Sequence, residues 1–131
     1  MSENLDMLKK GYEDFAKGDM DAVKETWAED IRWEGPNAEG LPGSGTHEGH
    51  DGVEKMIGEL NEAYDPFKVA PDEFLDAGDT IVVLGHNEAT VKSSGNDIKV
   101  PFVHIWRISD GKVKRVQSLT DTAVVRDAHE G

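Results

Sequence analysis

The sequence predicts an α+β domain, with helices packed on one face of a strongly curved sheet. Three observations carry that expectation. Apolar residues recur at helical spacing near the start, a third helical pattern follows a Gly- and Pro-rich loop, and the rest reads as β-runs separated by hairpin signals. Helices first and strands afterwards give α+β by the layer argument. At 131 residues the chain suits one domain, residues 1–131, with a single core.

The elements follow in order. "ENLDMLKKGYEDFAKG" places Leu5, Leu8, Tyr12, Phe15 and Ala16 on one helical stripe, with Gly18 as a C-cap. Asp19 can cap the next helix, "MDAVKETWA", with Val23 and Trp27 facing inward. "DIRWEG" is a short strand carrying Ile31 and Trp33 on one side. "PNAEGLPGSGTHEGHDG" is a loop. Asp51 and Glu54 then resemble a capping box before a helix that ends near Tyr64–Pro66. "FKVAPDEFLDAG" holds a strand interrupted or edged by Pro71. "DTIVVLGHNEATVK", "NDIKVPFVHIWRIS" and "DGKVKRVQSLTDTAVV" are the remaining strands, linked through Gly78-Asp79, Ser94-Gly95-Asn96 and Asp110-Gly111.

Composition narrows the function classes. There are 27 acidic against 14 basic residues, a net charge of −13, which argues against nucleic acid because phosphate neutralisation needs clustered Lys and Arg. The absence of cysteine removes disulfides and thiolate chemistry. No apolar run approaches the ~18 residues of a membrane span, and Met1–Lys10 is too polar for a signal peptide. The expectation is a cytoplasmic protein with no membrane partner.

A sheet bent around helices can leave an apolar, cone-shaped pocket, the usual setting for a small-molecule site. In the strand from Asp97, period-two alternation puts Ile98, Val100, Phe102, His104, Trp106 and Ile108 on one face. That face is large and aromatic, hence inward, with His104 its one polar member. In the last strand the same count groups Val113, Arg115, Gln117, Leu119 and Asp121 against Lys114, Val116, Ser118 and Thr120. Asp121 is read as inward because the chain turns apolar at Ala123-Val124-Val125. A buried carboxylate has a raised pKa and is a better base near neutral pH. Two plainer readings stand beside this one: Asp121 as a cap between Thr120 and Thr122, and His104 as a hydrogen-bonded core histidine.

Taken in order, "GYEDFAKGDMDAVKETWAEDIRWEGP", "LPGSGTHEGHDGVEKMI" and "FVHIWRISDGKVKRVQSLTDTAVV" resemble the SnoaL-like branch of the nuclear-transport-factor-2-like superfamily. The resemblance runs from about Leu5 to Ala128. It implies a cone-shaped, cystatin-like α+β barrel with a curved mixed sheet, often dimeric. It also implies a pocket used for polyketide cyclisation, isomerisation as in the related ketosteroid isomerase, dehydration, epoxide hydrolysis or simple binding. In the polyketide cyclases of that family the acid matching Asp121 is the general acid/base and the histidine matching His104 lines the pocket. Where relatives carry bulky aromatics and an acid before the terminal Asp, this chain has "QSLT", so Gln117 and Leu119 replace larger groups.

"HEGH" puts His47 and His50 three apart, but the helical HExxH spacing is absent and no metal is expected. "PGSGTHEG" lacks the P-loop lysine. The leading expectation is an enzyme using Asp121 and His104, with Phe15, Trp27, Trp33, Phe102 and Trp106 as apolar walls and His47 with Trp33 at the pocket mouth. No cofactor is expected, because an enol-type intermediate needs only a base and a donor. The alternative is a non-catalytic domain that holds a hydrophobic molecule. Val103, Ile105 and Val116 are expected on an outer sheet face that a second copy could cover.

Overall fold

The computed structural model describes residues 2–130. The first helix, α1 (Glu3–Lys17), begins where Ser2 Oγ accepts from the Leu5 N–H at 3.1 Å. It ends at Gly18, whose φ of 79° returns its N–H to the Asp14 and Phe15 carbonyls. Asp19 then caps α2 (Met20–Glu25), accepting from Ala22 N–H at 3.2 Å. This helix is shorter than its apolar spacing predicts. Trp27 opens β1 (Trp27–Glu34) instead of closing the helix, because the sheet claims the backbone there. The Val113 N–H donates to Thr26 O at 2.8 Å, and Trp27 pairs with Val113.

Within the glycine-rich loop a short strand, β2 (Thr46–Glu48), pairs antiparallel with β1. The third helix, α3 (Gly49–Ala63), follows at once. The expected capping box does not form: Glu48 occupies the N-cap position without a side-chain bond, and Asp51 lies in the first turn. Four long strands complete the sheet, β3 (Tyr64–Asp76), β4 (Thr80–Val91), β5 (Asp97–Ser109) and β6 (Lys112–Thr120). The curved, unclosed sheet has the order β2-β1-β6-β5-β4-β3. It is mixed, since β1 and β6 run parallel and the other neighbours antiparallel. Pro71 lies on the edge strand β3, next to a register shift, where a missing N–H is tolerated.

The last strand departs from simple alternation. Ile108 pairs with Val113 but Arg107 pairs with Arg115, so Lys114 is an extra residue, a β-bulge. One inserted residue moves every later side chain to the opposite face. Val116, Ser118 and Thr120 therefore face inward beside Trp106, His104 and Phe102, and Val116 is fully buried. Gln117, Leu119 and Asp121 are thrown outward. Two expectations are thereby corrected: Val116 belongs to the core and not to the outer face, and Asp121 is exposed.

A fourth helix, α4 (Thr122–Glu130), replaces the expected apolar end of the last strand. Asp121 starts it, with Oδ1 accepting from the Val124 N–H at 3.3 Å. Val125 and Ala128 pack on Tyr64, Ala89, Val91, Ile98 and Val100, so the apolar run that looked like strand is a helix face. The main core lies between α1, α3 and the concave face of the sheet, around Ile31, Val53, Met56, Ile81, Val83 and Phe102. Among the described residues no helix is long and apolar enough to cross a membrane.

Candidate functional site

A cavity of about 170 Å³ remains inside the cone, between α1, α3, α4 and the sheet. Its wall is built mainly of aromatic and aliphatic side chains. Phe15, Trp27, Trp33, His104 and Trp106 all line it.

His104 is central to the wall's chemistry. It stands on β5 with only 7% of its surface exposed, and its ring stacks on Phe102 at 4.0 Å between centroids. Trp33 and Trp106 meet it edge-on at 5.7 and 6.1 Å. Phe102 can lie this low because position 85, its neighbour on β4, is glycine. A Cβ there would meet the Phe102 ring at 2.5 Å and collide with the Ala70 carbonyl. Phe102 is thus a buried floor beneath His104, not a lining residue.

Tyr12, on the inward stripe of α1, reaches across to this histidine. Its hydroxyl lies 2.8 Å from His104 Nδ1, and Trp106 Nε1–H donates to the same hydroxyl at 3.0 Å. Indole is a donor only, so the tyrosine proton is free to point at the imidazole. Burial raises the Tyr12 pKa well above its ordinary value, so the phenol keeps that proton. Burial pushes the His104 pKa down to about 3, since an imidazolium here would be desolvated. The relay Trp106→Tyr12→His104 therefore fixes a neutral imidazole with Nδ1 accepting and Nε2 carrying the hydrogen.

Nε2 makes no hydrogen bond with any described residue. Among the described residues the sealed, unpartnered side-chain atoms are Asn87 Oδ1 and Arg107 Nε, so Nε2 keeps open surface toward the cavity that His104 lines. Ser118 lies opposite His104 in register and also lines the cavity. The result is one neutral N–H donor, backed by a hydroxyl, in an apolar hollow. Among the described residues no Asp or Glu lines it.

Besides Phe102, three predicted site residues do not line the cavity. Asp121 caps α4 on the outside. Gln117 faces out and its Oε1 accepts from Arg107 Nη2 at 3.1 Å. His47 pairs with Trp33 across the sheet, but its ring turns to the Ser44 carbonyl at 2.9 Å and does not line the cavity. His50 likewise lies against the Trp27 and Ala28 carbonyls. Among the described residues no three His, Cys, Asp or Glu side chains converge as a metal site would need. Tyr12, Asn87 and Ser118 were not expected at the site. Tyr12 was legible as the one polar-tipped member of the α1 stripe.

The SnoaL-like domain family matches residues 8–116, most of the chain. The chain belongs to the SnoaL-like family. Similar solved structures agree with its nuclear-transport-factor-2-like fold. A protein of unknown function with that fold from Burkholderia pseudomallei K96243 is 33% identical, covers 98% of each chain and has a TM-score of 0.90. TerC, co-crystallised with polyporic acid, is 29% identical over 99% of this chain and 100% of its own, also with a TM-score of 0.90. A candidate SnoaL-like polyketide cyclase from Jannaschia sp. CCS1, at 20% identity, 95% and 90% coverage and a TM-score of 0.83, shares the fold. No curated protein matches the sequence significantly.

Proposed function

We propose that this SnoaL-like domain binds a hydrophobic, carbonyl-bearing small molecule in its cone and activates the carbonyl by hydrogen bonding. The observation that carries the reading is the unpartnered Nε2–H of a buried, neutral His104 in an aromatic cavity. During enolisation the α-proton leaves to water or a buffer base, the carbonyl oxygen gains charge, and a preorganised donor stabilises it, more strongly in the low dielectric of the cavity. Neutral imidazole serves as such an electrophile in one well-known isomerase. His104 is the catalytic donor in this reading, and Tyr12 is the positioning residue that holds its tautomer. Isomerisation, cyclisation and dehydration all pass through such a charge-gaining oxygen. The presence of polyporic acid in the TerC crystal, at 29% identity, supports an aromatic, oxygen-bearing ligand.

A second reading, a binding domain without chemistry, is favoured by one specific observation. Among the described residues no carboxylate lines the cavity, and His104 resists protonation, so the wall offers a donor and no strong base. Incubating the protein in D₂O with cyclic and aromatic ketones, and with polyporic acid, separates the two. Exchange of α-hydrogens or product formation, lost in His104→Phe, supports catalysis. Tight binding with no exchange above the buffer rate supports the binding domain. Turnover unchanged in His104→Phe would remove this histidine from the mechanism.

The outer sheet face carries half-buried Val103 and Ile105 beside Leu119, which is 53% exposed. We propose a second copy of the chain as its cover, in a two-fold dimer. Leu119→Glu would then shift the sedimentation of the protein from dimer to monomer.

A further inference from the structure

A second polar group faces the same cavity with nothing to bind. On β4 the inward residues are Ile81, Val83, Gly85, Asn87, Ala89 and Val91, and Asn87 is the one amide in an otherwise apolar row. Its neighbours across the sheet are Val69 and Val100, neither of which can hydrogen-bond through its side chain. Asn87 lines the cavity, and its Oδ1 is sealed from solvent without a partner. Leaving a buried carbonyl unpaired is unfavourable, whereas leucine would fill the same space without loss. Its Nδ2 makes no hydrogen bond with any described residue and is not among the sealed atoms, so that end of the amide keeps open surface toward the cavity as an N–H donor, and rotating the amide about its last side-chain bond presents the oxygen there instead.

Its position relative to His104 sets the spacing. His104 pairs with Val83, and Asn87 lies four residues further along the same strand. Four residues of strand span about 13 Å at the backbone, and side chains converging on the cavity from both ends shorten the gap between their polar atoms. Phe102 and Gly85 pack together beneath the stretch in between, while Tyr12, Trp33 and Trp106 supply the aromatic wall of the cavity itself.

We infer that Asn87 is a specificity-determining residue, reading a hydroxyl at the end of the ligand opposite the carbonyl held by His104. The ligand class is therefore narrower than a hydrophobic ketone. It is a flat, elongated aromatic body with a carbonyl oxygen at one end and a hydroxyl at the other. This inference rests on the proposal that the cavity holds such a molecule. Polar discrimination of this kind is strong because the amide is unpaired whenever the hydroxyl is missing.

The test uses two probes of nearly equal shape, 2-acetonaphthone and 6-hydroxy-2-acetonaphthone, titrated by fluorescence into the full chain, Asn87→Leu, Asn87→Ala and His104→Phe. The hydroxylated probe is expected to bind the unaltered protein about 5- to 10-fold more tightly, the effect of one additional hydrogen bond. Both Asn87 variants should abolish that preference while binding 2-acetonaphthone at least as well. His104→Phe should weaken both probes and leave the preference intact. Thermal melts of the empty proteins serve as the folding control, and Asn87→Leu should melt no lower than the unaltered protein. Two results overturn the inference while leaving the cavity reading standing: no preference in the unaltered protein although both probes bind, or a preference that survives in both Asn87 variants. If neither probe binds, the cavity reading fails and this inference fails with it.

Discussion

Replacing His104 by Asn isolates the energetic consequence of burying an imidazole. Asn keeps an acceptor for the Tyr12 hydroxyl but does not titrate. In the folded protein burial holds the His104 pKa at about 3, against an ordinary value of 6.5. Below pH 6.5 the unfolded chain therefore takes up a proton that the folded chain refuses. The stability associated with this group is full above that pH and is lost as pH falls toward 3. Each pH unit inside that window corresponds to about 1.4 kcal/mol, so lowering the pH from about 7.5 to about 5 removes about 2 kcal/mol. Urea unfolding of both proteins across this range measures it. Subtracting the curves cancels the carboxylates and the other histidines, which both chains share. The unaltered protein is expected to lose about 2 kcal/mol more than His104→Asn. A flat difference, or a His104 ring resonance titrating near 6.5, would refute the claim that this ring is buried and neutral.

Other outcomes follow from the same geometry. Tyr12→Phe leaves both the Trp106 N–H and His104 Nδ1 without their partner, so unfolding free energy should fall by about 2 kcal/mol, with a Tm lower by about 8 °C. Long-range ¹⁵N–¹H correlations should then show His104 as a mixture of tautomers. Gly85→Ala drives a methyl into the Phe102 ring and the Ala70 carbonyl, and should lower the Tm far more than an exposed Gly→Ala change such as Gly58→Ala. Asp121→Ala should loosen α4 by about 1 kcal/mol, read by urea unfolding, and leave affinity for 2-acetonaphthone unchanged.

Much of the fold was legible because its signals are periodic. The hairpin turns and the inward face of β5 are local patterns that the structure reproduces, and the α1 stripe holds from Leu5 to Phe15 while Ala16 is exposed. The errors cluster where one residue changes the meaning of many. The bulge at Lys114 leaves no compositional mark, yet it reverses the facing of every residue from Arg115 to Asp121. A run such as Ala123-Val124-Val125 is apolar in either state, and only the cluster around Tyr64, Ile98 and Val100 decides that it is helical. Tertiary pairing likewise moved Trp27 from helix to strand.

The candidate site was half legible for the same reason. His104 and the tryptophans stand out as inward members of alternating strands. Their meaning depends on Tyr12, 92 residues away in sequence, which no local spacing connects to β5. Asn87 looked like one polar residue in the alternating half of a strand. Only its sealed, unpaired carbonyl sets it apart.

The most direct measurement is the His104 Nε2–H resonance, observed by ¹⁵N-edited NMR at neutral pH while 2-acetonaphthone is added. A protonated Nε2 in the empty protein, with a progressive shift of that resonance as the ketone binds, is the expected result. A proton found on Nδ1, or a ketone that binds without disturbing Nε2–H, would contradict the assignment of His104 as the donor at the heart of the cone.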